Sequence, residues 1–115
     1  MVDEVYRVST LFPPDERFGL VSQVRRAAVS VPSNVAEGYG RGSKADYVRF
    51  LRSARGSLYE VETQMLIAVR QGFVAQHTVT VVQELLEECG RILAGLIRSL
   101  TKEDGIRTGH ASPDA

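Results

Sequence analysis

The stretch YVRFLRSARGSLYEVETQMLIA, residues 47–68, decides the fold. Within it Tyr47, Leu51, Ala54, Leu58, Val61, Met65 and Ala68 alternate steps of four and three. That spacing lays one apolar seam along an α-helix through three heptads. The helix is predicted to open at Ser43, which forms a capping box with Asp46, and to close at Gln71-Gly72, with Gly72 as its C-cap. Downstream, Val82, Leu86, Cys89, Leu93, Leu96 and Leu100 repeat the alternation. Two such seams joined by a loop of about five residues predict an antiparallel helical pair.

Upstream, Val5, Val8 and Phe12 recur at helical spacing before Pro13 and Pro14, which predicts a short first helix over residues 2–11. Asp15 is a good N-cap for a second helix, whose stripe runs Phe18, Val21, Val24, Ala28, Val31 and Val35 and ends near Gly38. Pro32 lies inside that stripe and predicts a kink or break between Ala28 and Pro32. Gly38-Tyr39-Gly40-Arg41-Gly42, with three glycines in five positions, is expected to be a loop. Four amphipathic segments with short connections predict an all-α, antiparallel up-down-up-down four-helix bundle over residues 1–102, with a short first helix. Residues 103–115 are polar and glycine-containing and are expected to be a disordered tail. In the fourth segment Val79, Val81, Leu85, Ile92 and Ile97 widen the apolar stripe beyond what one partner covers, which points to a homo-oligomer.

At 115 residues, with 43% hydrophobic and 24% charged composition, the chain is one small soluble domain. No apolar run approaches the ~18–20 residues that cross a bilayer, and the amino terminus has no signal-peptide pattern, so a cytoplasmic protein without a membrane role is expected. Cys89 has no partner for a disulfide, and His77 and His110 lie far apart, so neither a metal nor another cofactor is expected. Cys89 falls on a seam and fits a small core residue better than a nucleophile. The glycines at 38–42 follow no strand and lack the lysine of a phosphate loop. Loop amides beside Arg41 and Lys44 nevertheless leave room for a phosphate at the start of the third helix.

Two polar patterns remain. Arg26, Ser30, Asn34 and Glu37 share one flank of the second helix, and Ser53, Ser57, Glu60 and Gln64 share one flank of the third. Facing each other, they make Arg26 a bidentate partner for Glu60 or Glu37. The pattern favours a satisfied polar network that sets register, built on Arg26, Ser30, Asn34, Glu37, Ser57 and Glu60, over a pocket of paired catalytic carboxylates. Glutamates beside arginines stay ionised, so no enzyme is expected. The second pattern is charge. Fourteen basic and fourteen acidic residues cancel, yet residues 41–55 hold five basic side chains and one acidic. Lys44, Arg49, Arg52 and Arg55 span an arc of about 140° away from the Tyr47-Leu51-Ala54 seam, with Arg41 at the head of the ridge. Such a ridge is either a track for an RNA or DNA backbone or a solvated face balanced by acidic neighbours such as Glu84, Glu87 and Glu88, of this or another subunit; a further reading is a protein-binding scaffold whose ridge pairs with acidic surfaces of a partner. A symmetric ring of subunits would repeat it and convert weak attraction into avidity.

The segments ERFGLVSQVRRA, SVPSNVAEGYGR and FLRSARGSLYEVETQ, within residues 12–74, resemble the bacterial four-helix bundle family encoded in intervening sequences of large-subunit ribosomal RNA genes. GRILAGLIRSL, residues 90–100, is similar to the related accessory protein of diversity-generating retroelements. The resemblance implies an all-helical bundle assembled as a homopentamer. For the retroelement relative it implies binding of nucleic acid and of a reverse transcriptase through a basic surface. Arg26, Ser30, Pro32, Asn34, Glu37, Gly38, Arg41, Ser57 and Glu60 match the family's pattern, for the most part as structural residues. The family's first helix is longer and begins aromatic-rich, whereas this chain starts at what corresponds to its second half, so an incomplete bundle is expected.

Overall fold

The computed structural model describes residues 1–105. Its helices are α1 (Val2–Ser9), α2 (Leu20–Gly40), α3 (Lys44–Arg70) and α4 (Gln76–Gly105), with a 3₁₀ turn at Pro14–Glu16. Among the described residues there is no strand. α1 and α3 each pack on both α2 and α4, while the diagonal pairs stay apart among the described residues. This cycle of sequential neighbours is the up-down-up-down bundle that the seams predict. The expected disordered tail falls mostly outside the described residues, and three of its residues, 103–105, continue α4.

The seam of α3 is the centre of the core. Leu51, Ala54, Leu58, Val61, Met65 and Ala68 are at most 3% exposed, and Tyr47 packs partly buried at the end of the row. Val24, Ala28 and Val31 meet them from α2, Val5 and Val8 from α1, and Val79, Val82, Leu86, Leu93 and Ile97 from α4. Both ends of α3 form as the sequence spells them. Ser43 is extended, and its Oγ accepts the Asp46 N–H at 3.1 Å. At the other end Gly72 has φ +77°, where a side chain would be strained. The Gly72 N–H donates to the Val69 carbonyl at 3.0 Å and the Phe73 N–H to the Ala68 carbonyl at 2.9 Å, the paired bonds of a Schellman cap. Phe73 then meets Phe12 at 6.1 Å between ring centres, tying this cap to the connection between α1 and α2.

α2 departs from expectation in four places. Asp15 is not its N-cap but lies exposed inside the 3₁₀ turn; Glu16 caps instead, its Oε1 accepting the Leu20 N–H at 3.1 Å. Because the helix starts only at Leu20, Phe18 drops out of phase with the stripe and is 88% exposed, with the Arg17 guanidinium 5.3 Å from its ring centre. The helix runs through Pro32 without the break that the sequence allowed; the proline ring lies on the exposed side, away from buried Ala28 and Val31. Lastly, Gly38, Tyr39 and Gly40 are helical rather than loop, which confines the turn to residues 41–43, with Gly42 at φ +84°.

α1 has eight residues and spans about 12 Å, against about 40 Å for the 27 residues of α3. It therefore closes the fourth edge only near the end where Phe12 meets Phe73. Arg25 fastens it there. The Arg25 Nε donates to Ser9 Oγ at 2.8 Å, Nη2 reaches the Tyr6 carbonyl and Thr10 Oγ1 at 3.3 Å each, and the guanidinium lies 4.6 Å from the Tyr6 ring centre.

Gly38 marks the close approach of α2 to α3. It is buried, and a Cβ built on it would stand 2.6 Å from Phe50 Cβ, whereas one on Gly40 would meet nothing within 4 Å. Gly38→Ala is expected to destabilise the fold by about 1–3 kcal/mol through forced separation of the helices. Gly40→Ala, which fills open space in a helix, is expected to be neutral or to stabilise by up to about 1 kcal/mol. Urea unfolding of the two variants checks the contrast.

Candidate nucleic-acid interface

The basic cluster sits where α2 turns into α3. Arg41, Arg49 and Arg52 are exposed, and Lys44 and Arg55 are half-buried on the flank that carries buried Val48. The ridge expected to face water throughout is thus divided. α3 packs on α2 and α4 at once, so its buried arc is wider than the Tyr47-Leu51-Ala54 seam and draws Lys44 and Arg55 inward. Two of the outward arginines are organised around an aromatic ring. The guanidinium of Arg41 lies 5.0 Å and that of Arg49 lies 4.6 Å from the Phe50 ring centre. Each also holds a carboxylate: Arg41 Nε donates to Glu37 Oε2 and Arg49 Nη2 to Asp46 Oδ1, both at 3.0 Å. Next to them Tyr39 and Tyr47 meet edge to face at 5.7 Å. Arg52 has no carboxylate within ion-pair distance among the described residues.

These are surface pairs, so they orient the side chains more than they stabilise the fold. Each guanidinium uses one N–H on its carboxylate and keeps others for a ligand. At the start of α3 the capping contacts of Ser43 and the charge of Asp46 occupy the ground where a phosphate was expected, which disfavours an anion on those amides.

The polar network forms in part. Ser30 Oγ and Ser57 Oγ are hydrogen-bonded across α2 and α3 at 2.8 Å, and Asn34 Nδ2 donates to the Ser30 carbonyl at 2.8 Å and to its Oγ at 3.0 Å. Arg26 does not join it. Its Nη2 donates to Ser22 Oγ at 3.2 Å, one turn back on its own helix, and the expected ion pair with Glu60 or Glu37 is not formed. Glu37 is held by Arg41, four residues on, and Glu60 stays exposed. Arg26 and Glu60 do line one open groove of about 400 Å³ between α2 and α3, together with Gln23, Ala27, Ser30 and Gln64. Glu37 is not part of it, so the two carboxylates do not converge. Gln64 Oε1 is buried without a hydrogen-bond partner. Cys89 is a half-buried free thiol packed against the core. Among the described residues no cluster of His, Cys, Asp or Glu could hold a metal ion, and no helix is long and apolar enough to cross a membrane.

Three participants escaped the sequence reading. Arg25, not its neighbour Arg26, makes the contact between helices. Phe50 carries the guanidinium groups of Arg41 and Arg49, and Tyr39 packs on Tyr47 at the same turn; the signal available for them was the interleaving of rings and cations in YGRGSKADYVRF, residues 39–50.

The bundle topology, the Ser30–Ser57 bridge and the basic corner define a protein that is all-helical among the described residues and carries a surplus of basic side chains at the α2–α3 turn and the first turns of α3. The sequence profile of the 23S rRNA-intervening sequence proteins matches residues 1–95, and the chain belongs to that family. No curated protein matches it.

The Asp46 carboxyl is held below its ordinary value chiefly by its hydrogen bond from Arg49; desolvation opposes this next, and the Arg49 charge, Ser43 and the Arg41 charge add smaller downward effects. A depressed folded pKa means that the contact contributes above the unfolded pKa and is lost as pH falls through the folded one. Carbon-13 NMR titration is expected to place the Asp46 midpoint below that of an unstructured aspartate, about 3.9, and Arg49→Ala is expected to move it up.

Proposed function

We propose that this protein is a non-enzymatic, homo-oligomeric helical module that holds nucleic acid by its sugar-phosphate backbone through Arg41, Arg49 and Arg52, with Lys44 and Arg55 adding charge at the flank. The observation that carries the reading is the concentration of charge: five basic and one acidic side chain within residues 41–55 of a chain with no net charge, three of the basic ones exposed. Phosphate contacts of this kind position a strand without reading its sequence. Binding is therefore sequence-independent and falls with salt, each neutralised phosphate adding about 0.7–0.9 to the slope of log affinity against log salt.

Self-association is supported by an apolar stripe on α4, where Ile92 is 60% and Val81 48% exposed beside half-buried Leu85, and by the edge that α1 leaves open. A pentameric ring, the assembly the family resemblance implies, would set the basic corners around one axis and multiply weak contacts.

Fluorescence anisotropy with RNA and DNA oligonucleotides tests the binding. Arg52→Ala is expected to weaken affinity for every sequence alike and to reduce the salt slope by about 1. Asp46→Asn, which frees Arg49, is expected to strengthen binding several-fold. Absence of binding at low salt, or affinities unmoved by both changes, defeats the proposal. Capture of a protein partner that survives nuclease treatment and is lost in Arg49→Ala/Arg52→Ala would favour a protein-binding scaffold instead.

Assembly is tested by light scattering. The chain is expected to exceed its monomer mass of 12.7 kDa, and Ile92→Glu to lower the assembled fraction while leaving helical circular dichroism intact. A monomer at all concentrations removes the avidity.

A further inference from the structure

We infer that the α2–α3 corner is a stacking platform for unpaired bases, so that the nucleic acid this protein prefers is a single strand. The inference rests on the backbone-binding reading above and adds to it what the aromatic rings do. Tyr39 is 75% exposed at the last turn of α2, braced at one side by Tyr47 with 5.7 Å between ring centres, and most of its ring faces water. A tyrosine ring left in water beside cations offers a base the surface it seeks. The same turn carries two planar guanidinium groups, those of Arg41 and Arg49, held over Phe50 at 5.0 and 4.6 Å and oriented by Glu37 and Asp46. Rings and guanidinium planes are the two surfaces on which splayed-out bases stack. Exposed Arg52, on the following turns of α3 beside Arg49, adds charge for the phosphates of the same strand.

Other exposed rings stand in different settings. Tyr6 has the single cation Arg25 at 4.6 Å and Phe18 the single cation Arg17 at 5.3 Å, and Tyr59 is followed by Glu60 and Glu62. Only the α2–α3 turn, among the described residues, gathers several rings, Tyr39 on Tyr47 and Phe50 under Arg41 and Arg49. A duplex cannot use the platform, because its base faces are buried in its own stack. Electrostatics alone would rank the strands the other way, since a duplex carries twice the charge per length and the steeper salt dependence. A preference for single strands therefore reports the rings and not the ridge.

The test measures anisotropy of labelled 20-nucleotide U and dT strands, and of 20-base-pair RNA and DNA duplexes of mixed sequence, against the full chain at low salt. Single strands are expected to bind more tightly than the duplexes. Tyr39→Ala should weaken them by about five- to a hundredfold while leaving duplex binding unchanged, and Tyr39→Phe should retain wild-type affinity. The U and dT arms show whether the sugar matters; a preference for either single strand over its duplex supports the platform. Duplexes bound as tightly as single strands and weakened by Arg52→Ala would overturn this inference while leaving the backbone-binding reading in place. The same holds for single-strand affinity indifferent to Tyr39→Ala, including the case where that variant changes assembly alone. If no oligonucleotide binds, both readings fall together.

Discussion

The closeness of α2 to α3 at Gly38 is the constraint from which the rest of the molecule follows. Phe50 Cβ stands where a side chain on Gly38 would have to be, and only a bare backbone admits it. That approach lets the α3 seam reach Val24, Ala28 and Val31 at close-packed distance, and it brings Ser30 and Ser57 to 2.8 Å. A bond between two half-buried hydroxyls adds little net stability, about 1 kcal/mol. Its directionality specifies which turn of one helix meets which turn of the other, a role that burial of Val and Leu, being non-directional, cannot fill.

The same close contact builds the basic corner. Phe50 fills the space against Gly38 with its Cβ end and leaves its ring at the surface, where Arg41 comes over it from the turn and Arg49 from the same helix. The ring is thus both core filler and surface scaffold. Arg41 reaches it because α2 stays helical through Gly40 and the turn is compressed into residues 41–43; a five-residue loop from Gly38 would have displaced the guanidinium.

Legibility in the sequence followed physical range. The α3 seam was fully legible because its periodicity is local and α3 is covered on two sides, so nearly every apolar position on the seam is buried as written. The caps at Ser43 and Gly72 were legible for the same reason: each is a contact within six residues. What failed depended on where a helix starts or on what lies across a gap. Phe18 satisfies the stripe only if the helix has begun, and Glu16 postpones that start to Leu20. Arg25 and Arg26 differ by one residue, or 100° around the helix; that step separates a contact to Ser9 and Tyr6 on α1 from one to Ser22 on its own helix. No period assigns the two, because the choice depends on where Ser9 and the Tyr6 carbonyl of α1 lie across the gap. Arg26 and Glu60 line one groove without forming the ion pair expected of them: Glu37 has a closer cation at i+4, and water can solvate both remaining charges.

Neutral total charge and a cationic corner are compatible because the two signs are segregated along the chain. Residues 56–104 hold seven acidic and four basic groups, and of the acidic ones Glu60 and Glu62 lie past the midpoint of α3 and Glu84, Glu87 and Glu88 on the first half of α4. α3 is about 40 Å long, several times the Debye length of about 8 Å at physiological ionic strength, so carboxylates at its far end do not cancel the field at Arg49 and Arg52. Only charges within a turn or two count, and there Glu37 and Asp46 are outnumbered by five cations. The two acids temper that field without reversing it, and by gripping Arg41 and Arg49 they keep both guanidinium groups over Phe50 instead of letting them range through water. Such pairing weakens the field of the cluster somewhat and in exchange lowers the entropy that Arg41 and Arg49 would lose in any further contact, because their side chains are already held in one place.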